Sequence, residues 1–308
     1  MSQALAAGNR PAAVAAARRR RARPFLFIAP ALAVSLGVVA FPLLYSIRVS
    51  LYDYTLQTGV QRFVGAANYL DAVRDPRFLA AWSVTMRIAF PALAIEFAAG
   101  LGLALLLQTL RGSIRSLVAS LLAVPVLIPG AAAAMAFAMM YVERYGVADA
   151  LLVLVLRRPV DIAWLSSPLI APWSVILVEV WNRTSFVMLF LLAGLALIPA
   201  EIYDAADVDG ATGWTAFRHV TFPLLLPTVV AVLALRLIDL MKMFDIPFLL
   251  TGGGPGIATE PVSMYIVETG FKSLRVGLGA AQSWLLVAVV AVLLLCFLQS
   301  MRFARLDG

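Results

Sequence analysis

Charged side chains occur where this sequence is otherwise apolar, and their types and spacing could do chemistry. Glu96 falls in one apolar run, Glu179 and Arg183 in another, and Arg236, Asp239, Lys242 and Asp245 in a third. Glu179 and Arg183 stand four apart with the acid N-terminal, the favourable order for a pair on one helix face. The last four alternate in sign at every third residue, so on a helix they wind slowly round one side. This ladder cancels its own charge and must look inward, because a charge facing lipid costs several kcal/mol. Glu96 lacks a local partner and is expected to meet one from another helix. Two readings stay open, buried ion pairs that fix helix register or a polar path across a membrane. Trp181, Asn182, Thr184 and Phe186, with Phe244 and Asp245 beside the ladder, are candidates for a path that carries polyhydroxylated molecules.

Other chemistries find little support in the sequence. No G-x-x-x-x-G-K-[ST] is present, and neither Lys242 nor Lys272 follows a glycine, so there is no loop of the kind that cradles nucleotide phosphates. The sole histidine, His219, sits beside Arg218 in a polar segment and reads as a surface or interface residue. The single cysteine, Cys296, lies inside an apolar run, which excludes a disulfide framework and a cysteine-based metal site. Neither a G-x-S-x-G elbow nor metal-ligand spacing occurs. The chain is expected to be no enzyme and to hold no cofactor or metal.

Composition names the elements that must position the charges. Of 308 residues, 62% are hydrophobic and 13% charged, against about 25% charged in an ordinary soluble domain. Mean hydropathy is +0.93. The net charge of +7 could suggest nucleic acid, but the arginines gather at the ends of apolar runs, where membrane topology wants them. No nucleic-acid partner is expected. Apolar segments lie at about 24–46, 83–109, 116–141, 169–197, 224–249 and 279–302, each at or beyond the roughly 20 residues that a lipid core requires. Only helices satisfy their own backbone in lipid without closing a barrel, so the expected fold is an all-α bundle of six membrane spans.

The basic tail 1–23, with Arg10, Arg18 to Arg21 and Arg23, places the N-terminus in the cytoplasm. The apolar run after it exceeds the roughly 7–15 residues of a cleaved signal core, so a retained first helix is expected. Alternation then puts 110–115, 198–223 and the tail 303–308 inside as well. Pro91, Pro125, Pro129 and Pro247 interrupt spans and are read as kinks or hinges.

The segment 199–223 is the most informative. Pro199, Glu201 and Asp204 suit the positive end of a first short helix. Asp209-Gly210 makes a turn, Thr212 is a candidate cap for a second helix, and Pro223 is expected to end that helix at the membrane. Tyr203-Asp204-Ala205-Ala206, then Asp209-Gly210-Ala211, then Phe222-Pro223, resembles the EAA loop of ABC-importer permeases, with Asp204 where that family usually has Glu. Phe63-x-Gly65-x-x-Asn68-Tyr69 resembles a motif of the sugar-type branch. So does Phe244-Asp245 followed by Leu250-Thr251-Gly252-Gly253-Gly254-Pro255 and Thr259-Glu260. The branch includes the maltose-type and glycerol-3-phosphate-type first permeases.

The resemblance implies a type I importer permease bundle in a bacterial inner membrane, with cytoplasmic coupling helices. Coupling to an ATPase would then fall to Tyr203, Asp204, Ala205, Ala206, Asp209, Gly210 and Ala211. Thr251, Gly252, Gly253, Gly254 and Pro255 would belong to an outside loop that faces a solute-binding protein. The implied partners are a second homologous permease, a dimer of ATP-binding-cassette ATPases carrying ATP and Mg, the binding protein and the lipid bilayer. A glycerol phosphate or other anion as cargo would call for unpaired cations facing the cavity, for which Arg87 is the candidate. An ion-coupled secondary transporter would require an inverted repeat, which is not evident, and would leave 199–223 unexplained.

Overall fold

Long apolar stretches can satisfy their backbone only as helices, and the chain folds almost wholly so. The structure is a computed structural model that describes residues 10–158 and 160–306, with side chains described from 28 to 299. Of the expected basic tail, 1–9 lie outside the described residues and the remainder continues the first helix; 307–308 also lie outside.

The long helices are α1 (Arg10–Ser50), α3 (Pro76–Thr109), α7 (Ala171–Ala196), α10 (Phe222–Met241) and α13 (Val276–Leu306). Between α1 and α3 come a small antiparallel hairpin, β1 (Tyr52–Tyr54) with β2 (Gln61–Phe63), and the short helix α2 (Ala67–Arg74). The hairpin is the one departure from an all-helical fold among the described residues. Asp75 starts α3 by accepting a hydrogen bond from the Arg77 amide at 2.9 Å, with Pro76 in the first turn, a favoured arrangement for a helix start.

The F-x-G-x-x-N-Y motif builds the joint below that hairpin. Asn68 is buried and its Nδ2 donates to the carbonyls of Ser50 and Tyr52, both at 2.9 Å. Tyr69 hydroxyl meets Ser50 Oγ at 2.7 Å. Gly277 of α13 lies so close that a Cβ there would meet Tyr52 O at 2.0 Å. The motif therefore ties the end of α1 to α13 through backbone contacts that admit no side chain.

Two expected spans differ from continuous helices. The segment expected at 116–141 is α4 (Gly112–Leu127) and α5 (Gly130–Met140), bent by 91°. Pro129 disfavours a helical conformation at the residue before it, and Ile128 is extended at φ −85°, ψ 122°. At 1.5 Å per residue, α4 alone is about 24 Å long, short of a full lipid core. Asn182 of α7 repairs the break, its Nδ2 donating to Pro125 O at 3.0 Å and Ile128 O at 2.9 Å. Ser185 Oγ donates to Leu122 O at 2.5 Å.

The segment expected at 224–249 starts earlier and ends earlier. A helix from α9 (Trp214–Ala216) passes through a π-helical turn (Phe217–Thr221) into α10 without interruption. Pro223 thus does not end the helix; the wider turn, with Phe222 N–H bonded to Phe217 O, accommodates the proline ring and its missing donor. At the other end α10 stops at Met241. A separate short helix, α11 (Asp245–Thr251), then lies against α5, Gly130 facing Ile246.

Helices α3 and α7 are the centre of the bundle. One apolar cluster, including Ile88, Val175, Leu240 and Ile246, gathers them with α5, α10 and α11. A second, including Leu107, Met188, Leu191 and Leu225, lies towards the other end. By contrast, α1 packs chiefly along α13, and none of its most apolar stretch is buried within the chain.

Replacing Asn182 with Leu keeps the number and branching of side-chain heavy atoms but removes the donor to Ile128 O and leaves Pro125 O with the Ile128 amide at 3.2 Å, at a cost of roughly 1–3 kcal/mol. The expected outcome is a lower thermal midpoint in detergent with little change in apparent affinity for solute. An unchanged midpoint would mean that Asn182 does not hold the break.

Candidate functional site

The break between α10 and α11 opens a polar cavity of about 370 Å³ inside the apolar bundle. Its lining includes Gly130 of α5, Glu179 and Arg183 of α7, Arg236 and Asp239 of α10, and Lys242 to Ile246. Backbone outside a helix is tolerated at membrane depth where it borders such a cavity.

Arg236 forms the floor. Its side chain is 1% exposed, and its Nε and Nη2 donate to Glu96 of α3 at 2.7 and 2.9 Å, a bidentate pair. Nη2 also donates to Glu179 Oε1 at 2.8 Å, while Nη1 stands 3.5 Å from Asp239. One guanidinium so joins α3, α7 and α10, using its fixed fork of donors. The expected partner for Glu96 on another helix is thus Arg236. The pair expected between Glu179 and Arg183 does not form, because Glu179 turns to the more deeply buried cation.

The ladder holds over three of its four members. Lys242 Nζ lies 3.3 Å from Asp239, continuing the chain from Arg236. Asp245 leaves it, since the helix ends first; it stands exposed in the first turn of α11, where a carboxylate suits the helix dipole. Counting the lining residues, Glu179, Asp239 and Asp245 balance Arg183, Arg236 and Lys242.

Of the six residues expected along a solute path, only Phe244 and Asp245 line this cavity. Trp181 packs on Phe137, ring centroids 5.2 Å apart, and Phe186 on Phe190 at 4.7 Å. Thr184 is buried, and Asn182 is spent on the α4–α5 break. Arg87 is not a cavity cation either; it is exposed and bonds Ser83 Oγ of its own helix at 2.7 Å. Sequence reasoning flagged the charges that do line the cavity but not their meeting point with Gly130 and Met243. The Pro129 and Pro247 breaks were the available signal.

At the other end of α7, α8 (Ala200–Val208) starts after Pro199 with Glu201 in its first turn. The turn at Asp209-Gly210 forms as expected, with Ala211 N–H bonded to Ala206 O at 2.9 Å and Gly210 at φ +77°. Thr212 does not cap the next helix with its side chain; Gly213 occupies that position. Ala206 is buried whereas Asp204, Ala205, Asp207, Val208 and Asp209 are exposed. Tyr203 hydroxyl accepts a long bond, 3.4 Å, from Thr221, joining α8 to the π-helical turn. The result is an acidic knob that follows α7 and touches the π-helical turn leading into α10.

The segment 251–260 folds on itself. Thr251 Oγ1 meets Thr259 Oγ1 at 2.6 Å, and Thr259 donates to Gly254 O at 2.7 Å. Gly252 is exposed and Gly253 buried, Gly254 and Pro255 are half-buried, and the Gly254-Pro255 peptide is cis. Glu260 accepts a bidentate pair from Arg77 at 2.8 and 3.1 Å, pinning the loop to the start of α3. Next to it, burial and then the bond to Asp75 push the Tyr265 hydroxyl up to about 12, so it stays protonated and donates to that carboxylate. Among the described residues no group of three His, Cys, Asp or Glu side chains could hold a metal ion.

Truncating Arg236 would leave Glu96 and Glu179 as buried anions without a counter-ion, which costs about 3–5 kcal/mol. Arg236→Ala is therefore expected to abolish recovery of monodisperse protein. Adding Glu96→Gln and Glu179→Gln to it is expected to restore part of that recovery, measured by size-exclusion chromatography. Full recovery of the single variant would show that the cluster is not buried.

Comparison with known proteins places this geometry. Residues 96–306 match the family described as the binding-protein-dependent transport system inner membrane component. The chain is 33% identical over 282 residues to the trehalose/maltose transport system permease protein MalF of Thermococcus litoralis, covering 91% of this chain and 94% of that one. It is 35% identical over 294 residues to the trehalose transport system permease protein SugA of Mycobacterium tuberculosis, covering 95% and 92%. Its fold is similar to that of a chain in a bacterial ABC transporter involved in the import of the acidic polysaccharide alginate. There the TM-score is 0.79, with 21% identity over 92% of this chain and 96% of that one. With its spans, its charge-lined cavity and its protruding helical knob, the chain belongs to the inner-membrane permease family of binding-protein-dependent ABC importers.

Proposed function

We propose that this permease forms half of the path of an ATP-driven importer for an uncharged sugar. The observation that carries the reading is the cavity at membrane depth, polar yet balanced between three acids and three bases. Such a lining offers hydrogen bonds to hydroxyl groups from side chains of both signs. Relatives named for trehalose and maltose transport support the sugar class.

A second permease would complete the cavity. The knob at 199–213 faces the cytoplasm, as do both termini, and docks in a separate ATPase dimer that binds ATP and Mg. Tyr203, Asp204, Ala205, Asp209, Gly210 and Ala211 form its contact and turn, while Ala206 packs inward. ATPase closure would move α8 as a lever, and through the Tyr203–Thr221 contact that motion reaches the continuous α9–α10 rod that carries Arg236. The folded 251–260 segment lies at the opposite end, where a solute-binding protein delivers the sugar. Its exposed Gly252, Gly256 and Ile257 are available for that contact.

Purification in mild detergent should recover a P-loop ATPase and a second homologous permease; a lone homodimer would sink this reading. Gly210→Val is expected to strain the turn by roughly 1–2 kcal/mol, since nothing lies within 4 Å of its Cβ position to add a clash. The assembled importer should then hydrolyse ATP while sugar uptake per ATP falls several-fold. Normal coupling would count against the knob as the ATPase contact.

A further inference from the structure

Between α5 and α7 lies α6 (Val147–Leu156), a short apolar helix held only at its start. A tight turn, with the Gly146 amide on Val142 O at 2.7 Å, carries the chain out of α5. Asp149 in the first turn is buried and accepts from the Arg144 amide at 3.1 Å and from Trp164 Nε1 at 2.8 Å. Trp164 in turn stacks on Tyr141, ring centroids 5.1 Å apart, and its carbonyl accepts from Ser174 Oγ of α7 at 2.8 Å. These bonds put α6 at the end of α7 away from the knob. The rest of the helix is bare: Leu151, Val153, Leu154, Val155 and Leu156 are all exposed. We propose that α6 is immersed in the lipid leaflet at that end, with Arg157 and Arg158 on the phospholipid phosphates. The proposal does not depend on which solute is carried.

The distribution of these side chains selects lipid over a protein partner. A second protein covers one stripe of a helix and leaves a polar face to water. At 3.6 residues per turn the five exposed side chains surround the axis, with no gap wider than about 100°. A helix apolar all round is one enclosed by an apolar medium. At 1.5 Å per residue α6 is about 15 Å long, too short to cross a hydrocarbon core of about 30 Å, so it enters one leaflet only. Its flanks suit the boundary between lipid and water. Tyr145, 90% exposed, precedes the helix, as aromatic residues do at a membrane surface. Arg157 ends it in the left-handed conformation at φ +51°, and Arg158 follows. Both are exposed, and neither joins an ion pair among the described residues. Such side chains keep their stems in the apolar layer while the charged heads reach lipid phosphates. The bilayer then positions the far end of α5, whose Gly130 lines the central cavity.

The test places the full chain, with the subunits that co-purify with it, in nanodiscs of phosphatidylethanolamine and phosphatidylglycerol. In a Cys296→Ser background that removes the exposed native thiol, a nitroxide is attached at Leu154→Cys or at Val155→Cys. Its collision rates with oxygen and with a water-soluble nickel chelate are then measured, and lipids spin-labelled on the acyl chain and on the headgroup calibrate depth. At both positions oxygen collisions are expected to exceed nickel collisions several-fold, as they do for the acyl-chain label. An excess of nickel collisions would put the helix in water, and low rates with both reagents would put it against a protein subunit. Either result overturns the proposal. Reversing both charges, Arg157→Glu with Arg158→Glu, sets anions against the phosphates. It should raise nickel collisions at the Val155→Cys label several-fold, and an unchanged rate would overturn the phosphate contact.

Discussion

A guanidinium that cannot leave the membrane interior constrains everything around it. Arg236 is held by Glu96 and Glu179 at hydrogen-bond distance, so α3, α7 and α10 share one relative height and rotation. Apolar packing alone would not impose this, because lipid tails are as apolar as the residues on a helix surface and association in lipid has little hydrophobic drive. Sliding α10 by one turn would bury a cation against Leu and Val, and two carboxylates would be left behind. Against replacement by well-packed apolar groups such a cluster gains little stability. What it provides is a single register.

That register fixes where the helices can break. Helix α10 ends five residues beyond Arg236, at Met241, and α11 then turns to lie on α5, itself turned by 91° from α4. Each break frees backbone groups that lipid could not satisfy. At the α4–α5 corner side chains of α7 supply the donors, and at the end of α11 Thr251 bonds Pro247 O at 2.8 Å and Thr259 Oγ1 at 2.6 Å. The cavity is thus the space left when two spans are broken at the same depth beside a neutralised charge cluster.

How much of this the sequence discloses depends on the kind of interaction involved. Span locations follow from composition, because the cost of polar groups in lipid is set residue by residue. The turn at Asp209-Gly210 and the helix after Pro199 follow from local backbone preferences. The need of Glu96 for a distant counter-charge follows from its cost alone, though not which of Arg183, Arg236 or Lys242 supplies it. The direction of a helix after a proline is a different matter. Pro91 lies within an unbroken α3, whereas Pro129 accompanies a right-angle corner, and hydropathy is nearly the same at both. The difference lies in Asn182 and Ser185, fifty or more residues away, which make the corner tolerable.

The same logic explains why Asn182 and Asp245 are easily misplaced from sequence. A polar side chain in a span has either a solute or the protein's own backbone to satisfy, and residue type does not distinguish them. Asn182 serves the backbone because α4 ends opposite it. Asp245 would continue the ladder if α10, which ends at Met241, ran on to it, and it does not, so the carboxylate starts a new helix at the cavity edge instead. Continuity is what matters at the other end. The π-helical turn at Phe217–Thr221 lets the chain pass Pro223 without a stop, making the helix that starts at Trp214, just after the knob, and the arginine floor parts of one rod. A displacement of α8, braced on that rod through Tyr203 and Thr221, therefore has a stiff route to the charge cluster, and the breaks on its far side are the joints at which that displacement can change the shape of the cavity.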